Sequence, residues 1–291
     1  MNRETQRAKA EAFRAMHDRS RILVLPNAWD AMSARVIEEA GARAIATTSA
    51  GVAFSIGYPD GELAPRDEII ASIARIARVV AIPVSADIES GFAANTRELA
   101  ETIRRVIEAG AVGINLEDGI NGSTGGDPPY PGEPLYPVEV AVERVRVARE
   151  TANSSGVPLV INARTDVFLR GVGAADTRFD HAVQRANAYR RAGADCLFVP
   201  GVGRRADIER LVPALEGPLN LLAFPGIPTP NELHKLGVAR LSVGTWITLD
   251  AMALTRKVAG ELLGAGSYDS MFKEFIGYPE ANSLMAKALN R

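Results

Sequence analysis

Short apolar runs alternate with longer amphipathic ones along almost the whole chain. "RILVLP" ends at Pro26, and "DAMSARVIEEAG" follows it, closed by Gly41. "ARAIATT" leads through a Gly-rich stretch into "RDEIIASIARIARVV", and "IPVSAD" precedes "NTRELAETIRRVIEAG". The pattern recurs in "VGINLED" before "PVEVAVERVRVARETA", "PLVINARTD" before "AADTRFDHAVQRANAYRRAG", and "DCLFVP" before "RADIERLVPAL". "LNLLAFP" with "TPNELHKLG", and "ARLSVGT" with "TLDAMALTRKVAGELLGAG", complete the series. A short apolar run bounded by turn residues reads as a buried strand, and apolar residues at three- and four-residue spacing read as one face of a helix. "EAG" at 39–41 and 108–110 and "RAG" at 191–193 place a glycine where a helix stops and the next strand begins.

Eight strand-then-helix units predict a (β/α)8 TIM barrel, with the right-handed crossover rule making every strand parallel. An open doubly wound sheet is the structural alternative. No G-x-G-x-x-G follows the first strand, and strand-like runs continue to the end of the chain, which favours the barrel. An extra helix over 3–16 precedes it. The chain therefore reads as one domain over 1–291, with a barrel core at about 20–264 and a helical tail over 265–291.

In such a barrel the chemistry sits where strands end. The first strand end offers Asn27, Trp29 and Asp30, and the second offers Thr47, Thr48 and Ser49. The third, "VSADIESGF", offers Asp87 and Glu89. These two acids share a side if the strand alternation carries through them, because residues i and i+2 of a strand face the same way. The fourth offers Asn115, Glu117 and Asp118, and the fifth Asn162, Arg164, Thr165 and Asp166. The sixth gives only Pro200 and a glycine loop; the seventh gives Asn220, a candidate substrate contact, and the eighth Ser242 and Thr245. Asp87, Glu89 and Glu117 converging at one rim would repel each other without a counter-ion, and hard oxygen donors favour Mg²⁺ or Mn²⁺. Arg164 on the neighbouring strand reads either as a clamp for a carboxylate or phosphonate or as a salt bridge to Asp166 or Glu117.

Charge and composition narrow the picture. Lys and Arg number 33 against 35 Asp and Glu, a net charge of −2, which gives no pull toward nucleic acid or an anionic membrane. The N-terminal stretch lacks the apolar run of a signal peptide, and no apolar run is long enough to span a bilayer. His17, His181 and His234 all fall in predicted helices, away from strand ends, so zinc is not indicated. The single cysteine, Cys196, lies inside an apolar run, which excludes an intrachain disulfide and fits a reducing, cytoplasmic setting.

Taken together, "VLPNAWDAMSARVIEEAG", "TTSAGVAFSIGYPD", "PVSADIESGFA", "GAVGINLEDG" and "INARTD" resemble the isocitrate lyase/phosphoenolpyruvate mutase superfamily, over roughly residues 10 to 250. The resemblance implies Mg²⁺ held by Asp87, with Glu89 and Glu117 close by or bound through water. It implies a small 2-oxo acid or its enolate as substrate. Ser49, Ala50 and Gly51 would hold the substrate carboxylate, and Arg164 and Asp60 would be the catalytic candidates. It also implies a homo-oligomer, dimer or tetramer, in which the tail after 265 is exchanged between neighbours. Two departures stand out. Glu89 replaces the more usual Asp of the metal motif, and "GINGSTGGDPPYPGEPLYP" has no Cys, Lys, Arg or His where isocitrate and methylisocitrate lyases carry a Lys-Cys-Gly-His segment. Where phosphoenolpyruvate mutases use a loop Lys and Asn, Asn121, Ser123, Thr124 and Tyr130 are available here.

The reading that follows is a metal-dependent carbon–carbon lyase acting on a small 2-oxo acid, with oxaloacetate-like decarboxylation as its simplest version. The alternatives are phosphonopyruvate or phosphoenolpyruvate P–C chemistry, hydroxymethyl transfer onto a 2-oxo acid, and a non-catalytic 2-oxo dicarboxylate-binding protein.

Overall fold

The computed structural model describes residues 2–121 and 130–287, so Ser123 and Thr124 lie outside the described residues. Nine strand segments form one parallel sheet. They are β1 (Leu23–Leu25), β2 (Asn27–Ala28), β3 (Ile45–Thr47), β4 (Val84–Asp87) and β5 (Gly113–Glu117), then β6 (Val160–Arg164), β7 (Cys196–Phe198), β8 (Leu219–Leu222) and β9 (Arg240–Ser242). The order β1-β9-β8-β7-β6-β5-β4-β3-β2 brings the two ends of the sheet together at adjacent residues of the chain. This is a TIM-type barrel of eight staves whose first stave is broken. The break is Pro26. Proline has no N–H to donate, so the ladder changes neighbours there. β1 pairs β9, while Pro26 and β2 serve β3, Ala46 donating to the Pro26 carbonyl at 3.0 Å. Asn27 spans the break: its Nδ2 donates to Thr47 O at 2.8 Å, and its Oδ1 accepts from the backbone N–H groups of Val243 and Gly244 at 3.0 and 2.9 Å.

The helices are α1 (Arg3–Ala15), α2 (Ala31–Glu39), α3 (Ser49–Ser55), α4 (Arg66–Val79), α5 (Thr96–Glu108), α6 (Val138–Ser155), α7 (Arg178–Arg191), α8 (Arg205–Ala214), α9 (Pro230–Lys235), α10 (Trp246–Gly260) and α11 (Tyr278–Ala286). Among the described residues no helix is long and apolar enough to cross a membrane. The amphipathic faces expected from sequence pack inward, as with Leu99, Ile103, Val106 and Ile107 of α5. One element exceeds expectation. The Gly-rich stretch after β3 is a short helix, α3, started by Thr48, whose side chain accepts from Gly51 N–H.

α1 closes the N-terminal end of the barrel. Its Phe13 is fully buried and pushes into the interior, where a Cβ on Gly113 of β5 would fall 2.6 Å from the ring. Glycine at that strand position is what lets the ring enter. Above Phe13 the interior is polar where a barrel of this type usually holds branched aliphatics. Asn162 donates to Asn115 Oδ1 at 2.7 Å, Arg240 reaches the same oxygen at 3.3 Å, and Asn220 pairs with Ser242 Oγ at 3.2 Å. Arg240 is fully buried and makes no ion pair among the described residues, and burial pulls its guanidinium down to about 10.

Candidate active site

The strand ends of β4, β5 and β6 bring charged groups together at the C-terminal mouth. Thr47 Oγ1 accepts the Asp87 N–H at 2.8 Å, fixing the end of β4 against β3. The Asp87 carboxylate accepts from Ser49 N–H at 3.2 Å and from Glu89 N–H at 3.4 Å. The strand stops at Asp87, so Glu89 does not reach its place by strand alternation. A left-handed turn, with φ +50° at Glu89, +108° at Gly91 and +50° at Phe92, carries it there. Two side-chain-bearing residues in that region mark a loop held against its own preference.

Arg164 is register partner to Glu117 and binds it at 2.8 Å. It also grips Asp166 with both arms of its fork, at 2.6 and 3.0 Å. Both salt bridges open to it in the sequence are therefore made, and the guanidinium still faces the cavity. Asn121 Nδ2 lies between Glu89 and Glu117, donating to them at 3.1 and 3.0 Å.

Burial pushes all three acids upward. Desolvation raises Asp87, partly offset by Arg164. Desolvation, then repulsion from Asp60, Glu62, Glu117 and Asp87, takes Glu89 up to about 10. Glu117 rises to about 8, burial outweighing the help of Arg164. Burial would depress Arg164, but Glu117 and Asp166 hold its charge above the usual range.

Three supporting residues were not singled out from sequence. Glu62 follows Asp60 on the α3–α4 loop and accepts from Ser90 Oγ at 2.9 Å and Phe92 N–H at 2.8 Å, tying that loop to the Glu89 turn. Arg144 of α6 donates to the carbonyls of Ser90 and Ala93 beneath the same turn. Arg170 lies one helical turn after Asp166, a spacing that was legible. It binds Asp166 at 3.2 Å, sits 3.7 Å from Glu117, and donates to Ile120 O at 2.8 Å and Pro134 O at 3.3 Å. The segment 119–137 has no basic residue of its own, but Arg170 brings one to its base.

A cavity of about 290 Å³ opens beside these groups. Asp87, Arg164, Ser49 and the exposed Asp60 line it, together with Asn115. Ala50 and Gly51 do not. They are buried in the first turn of α3, where a Cβ on Gly51 would fall 2.6 Å from Thr248 Oγ1 and from Thr48 Cγ2. Asn220 is fully buried one layer down, held by Ser242, and Leu222 is the β8 residue at cavity level. Glu89 and Glu117 stand behind Asp87 and Arg164 rather than on the wall. The far wall, unforeseen, is Phe198, Leu222, Trp246 and Leu249. Cys196 is fully buried, and burial pushes its thiol up to about 12, so it is inert toward the site. Tyr130 packs edge-on against Tyr136, 5.8 Å between ring centres.

Residues 13–263 match the family model described as phosphoenolpyruvate phosphomutase. The chain belongs to the phosphoenolpyruvate mutase/isocitrate lyase superfamily. Within that superfamily it is similar to the 2-methylisocitrate lyase of Escherichia coli, 31% identical over 79% of this chain and 76% of that enzyme. The 2,3-dimethylmalate lyase of Eubacterium barkeri is 29% identical over 95% of this chain and 93% of the enzyme. A crystal structure from Burkholderia cenocepacia, provisionally named a lyase/mutase, superposes with a TM-score of 0.86 at 35% identity, covering 97% of both chains.

The Mg²⁺ that the resemblance implies meets a mixed but compatible donor set. Among the described residues no three His, Cys, Asp or Glu side chains are grouped closely enough to enclose a metal ion directly. The donors are nevertheless hard oxygens of buried carboxyls whose charged form a cation would favour, and Mg²⁺ typically keeps several waters and uses one or two carboxylates. Asp87, on the cavity wall, would bind it, with Glu89 and Glu117 behind.

Proposed function

We propose that this protein is a divalent-metal-dependent lyase that breaks a carbon–carbon bond in a small 2-oxo or 2-hydroxy acid and leaves an enolate. The observation that carries the reading is the meeting of Asp87 and Arg164 on one cavity wall, with Glu89 and Glu117 buried behind them. When bound, a divalent cation would draw charge from the 2-oxo oxygen and lower the cost of the enolate. Arg164 faces the cavity as a fixed cation, its orientation set by Asp166, and stabilises negative charge developing on the substrate. Ser49 N–H, now on Asp87, holds that carboxylate in place and leaves its remaining lone pairs for the cavity. Asp60 is the exposed acid on the cavity wall and is assigned to proton transfer with solvent.

Nothing at the site supplies a nucleophilic thiol, so substrates whose bond breaks without one should be favoured, oxaloacetate-type decarboxylation among them. The relatives named for 2-methylisocitrate and 2,3-dimethylmalate place those two acids on the panel to be tested, and the P–C alternative adds phosphonopyruvate. Incubation of the Mg²⁺-supplemented protein with oxaloacetate, phosphonopyruvate, isocitrate, 2-methylisocitrate and 2,3-dimethylmalate, reading pyruvate, glyoxylate and phosphate release, tests the proposal. Phosphate release from phosphonopyruvate alone would move the assignment to P–C chemistry, and binding without product to a binding protein. We further propose a homo-oligomer, dimer or tetramer, built through the C-terminal elements, where Leu254, Leu263, Phe272, Phe275 and Tyr278 expose large apolar side chains. Light scattering of the chain truncated after 265 tests it.

A further inference from the structure

The cavity has two unlike sides. Asp60, Asp87, Asn115 and Arg164 line it from β3 through β6, whereas Phe198, Leu222, Trp246 and Leu249 line it from β7 through the start of α10. Arg164 is the single basic residue among the described lining residues, and it already neutralises Glu117 and Asp166. The polar side-chain atoms on the second side are already hydrogen-bonded within the protein. Trp246 Nε1 donates to Ala223 O at 2.7 Å, so the indole presents its ring rather than its N–H. Thr245 Oγ1 is bonded to Thr48 Oγ1 at 2.9 Å, and Ser242 Oγ is shared between Asn220 and Arg240. Arg240 lies beneath Ser242 and does not reach the wall. Trp246 and Leu249 remain 43% and 41% exposed, apolar surface that a bound ligand would take out of water.

We infer that the substrate carries an uncharged alkyl substituent turned toward β7–α10, and that a carboxylate on that side, other than a group lost in the reaction, is disfavoured. The inference rests on the 2-oxo acid reading above and adds what lies beyond the reacting carbons. A carboxylate turned toward β7–α10 would lose water and find no cation, a cost that a buried charge recovers only from a partner. A methyl or branched alkyl group would meet two rings and two leucines. With a volume near the lower end of ligand pockets, the cavity suits a short substituent. Each methylene buried there should tighten binding roughly fourfold.

Calorimetric titration with Mg²⁺ present tests this without requiring turnover. The probes are pyruvate, 2-oxobutyrate, 3-methyl-2-oxobutyrate and 4-methyl-2-oxopentanoate, set against 2-oxoglutarate. Affinity is expected to rise along the alkyl series and to be at least tenfold weaker for 2-oxoglutarate than for 4-methyl-2-oxopentanoate. Leu249→Lys, at a half-exposed helix position that tolerates the change, should reverse that order, and Trp246→Ala should flatten the alkyl series. Tighter binding of 2-oxoglutarate by the natural protein, or an alkyl series that is flat and indifferent to both variants, overturns the inference and leaves the 2-oxo acid reading standing. Failure of every probe to bind overturns both.

Discussion

From β4 to β6 the barrel mouth is held together by charge, and from β7 to α10 by shape. In the first region Glu117, Arg164, Asp166 and Arg170 form a chain of ion pairs at 2.8, 2.6 and 3.2 Å, and each member orients the next. In the second, the hydrogen bonds run between strand and loop atoms, and rings and alkyl groups face the cavity. The difference is one of replaceability. Removing one member of a buried charge chain strands its partner, which is costly. Changing a leucine or an indole at a half-open wall alters volume and little else. The charged half is therefore suited to chemistry that must not vary, and the apolar half to recognition that does.

The largest break in that contrast should come from Asp87→Ala. Metal-dependent turnover is expected to fall by about a thousandfold or more, since several kcal/mol of charge stabilisation depend on the cation. The metal-free fold should hold or gain stability, because a buried acid among like charges has gone. Mg²⁺ titration and thermal unfolding of the variant check both halves of the statement, and wild-type metal affinity would remove Asp87 from the assignment.

A control independent of either half lies at the closed end. His17 is buried edge-on to Phe13, and burial, with Arg240 nearby, lowers it from 6.5 to about 4. A folded value below the unfolded one means that this contribution is complete above pH 6.5 and is lost as pH falls toward 4. The loss is about 3 kcal/mol. Urea midpoints at pH 7 and pH 4 should separate more for the natural protein than for His17→Gln, which keeps a polar group near Phe13 O.

Arg164→Lys sharpens the comparison from within the charged half. Lysine keeps the charge but loses the fork on Asp166, and the loss of about 1.5–3 kcal/mol predicts a fall in kcat/KM of roughly 10- to 150-fold. Arg170, still bound to Asp166, should preserve the fold. An unchanged kcat/KM would make Arg164 purely structural. The smallest effect is expected where the halves touch. The Phe198 ring lies 5.7 Å from the Arg164 guanidinium, so Phe198→Leu should cost about two- to fivefold in kcat/KM.

The two halves were also unequally legible in the sequence. Acids and an arginine at strand ends announce themselves, because apolar runs rarely close on charge without reason, and Asp87, Glu117 and Arg164 were placed correctly at the rim. Depth was not legible. Asn220 and Leu222 share a face of β8, and only the length of the strand decides that the leucine stands at cavity level. The resemblance offered Ser49, Ala50 and Gly51 to a substrate carboxylate, partly through backbone N–H groups; the Thr48 cap takes the Gly51 N–H, and packing against Thr248 explains the missing side chain. Arg170, Trp246 and Leu249 come from loops and helices beyond the strand ends, where no local period reports which way a side chain turns. The polar interior around Arg240 was hidden for the same reason, since "ARLSVGT" reads as an ordinary strand whichever residues face in.

Pro26 has a consequence for chain topology. The two edges of the sheet belong to one stave, so the ring is closed there by the covalent backbone, with the Asn27 side chain as its rivet. Cut elsewhere, at exposed turns such as those at Gly57 or Gly226, the chain would leave every strand ladder intact. Cut between Leu25 and Asn27, with the old ends joined, it would turn the same ladders into an open sheet whose margins are held by one amide. Circular permutants at the two kinds of position would have nearly the same contacts and a different number of ends to the sheet.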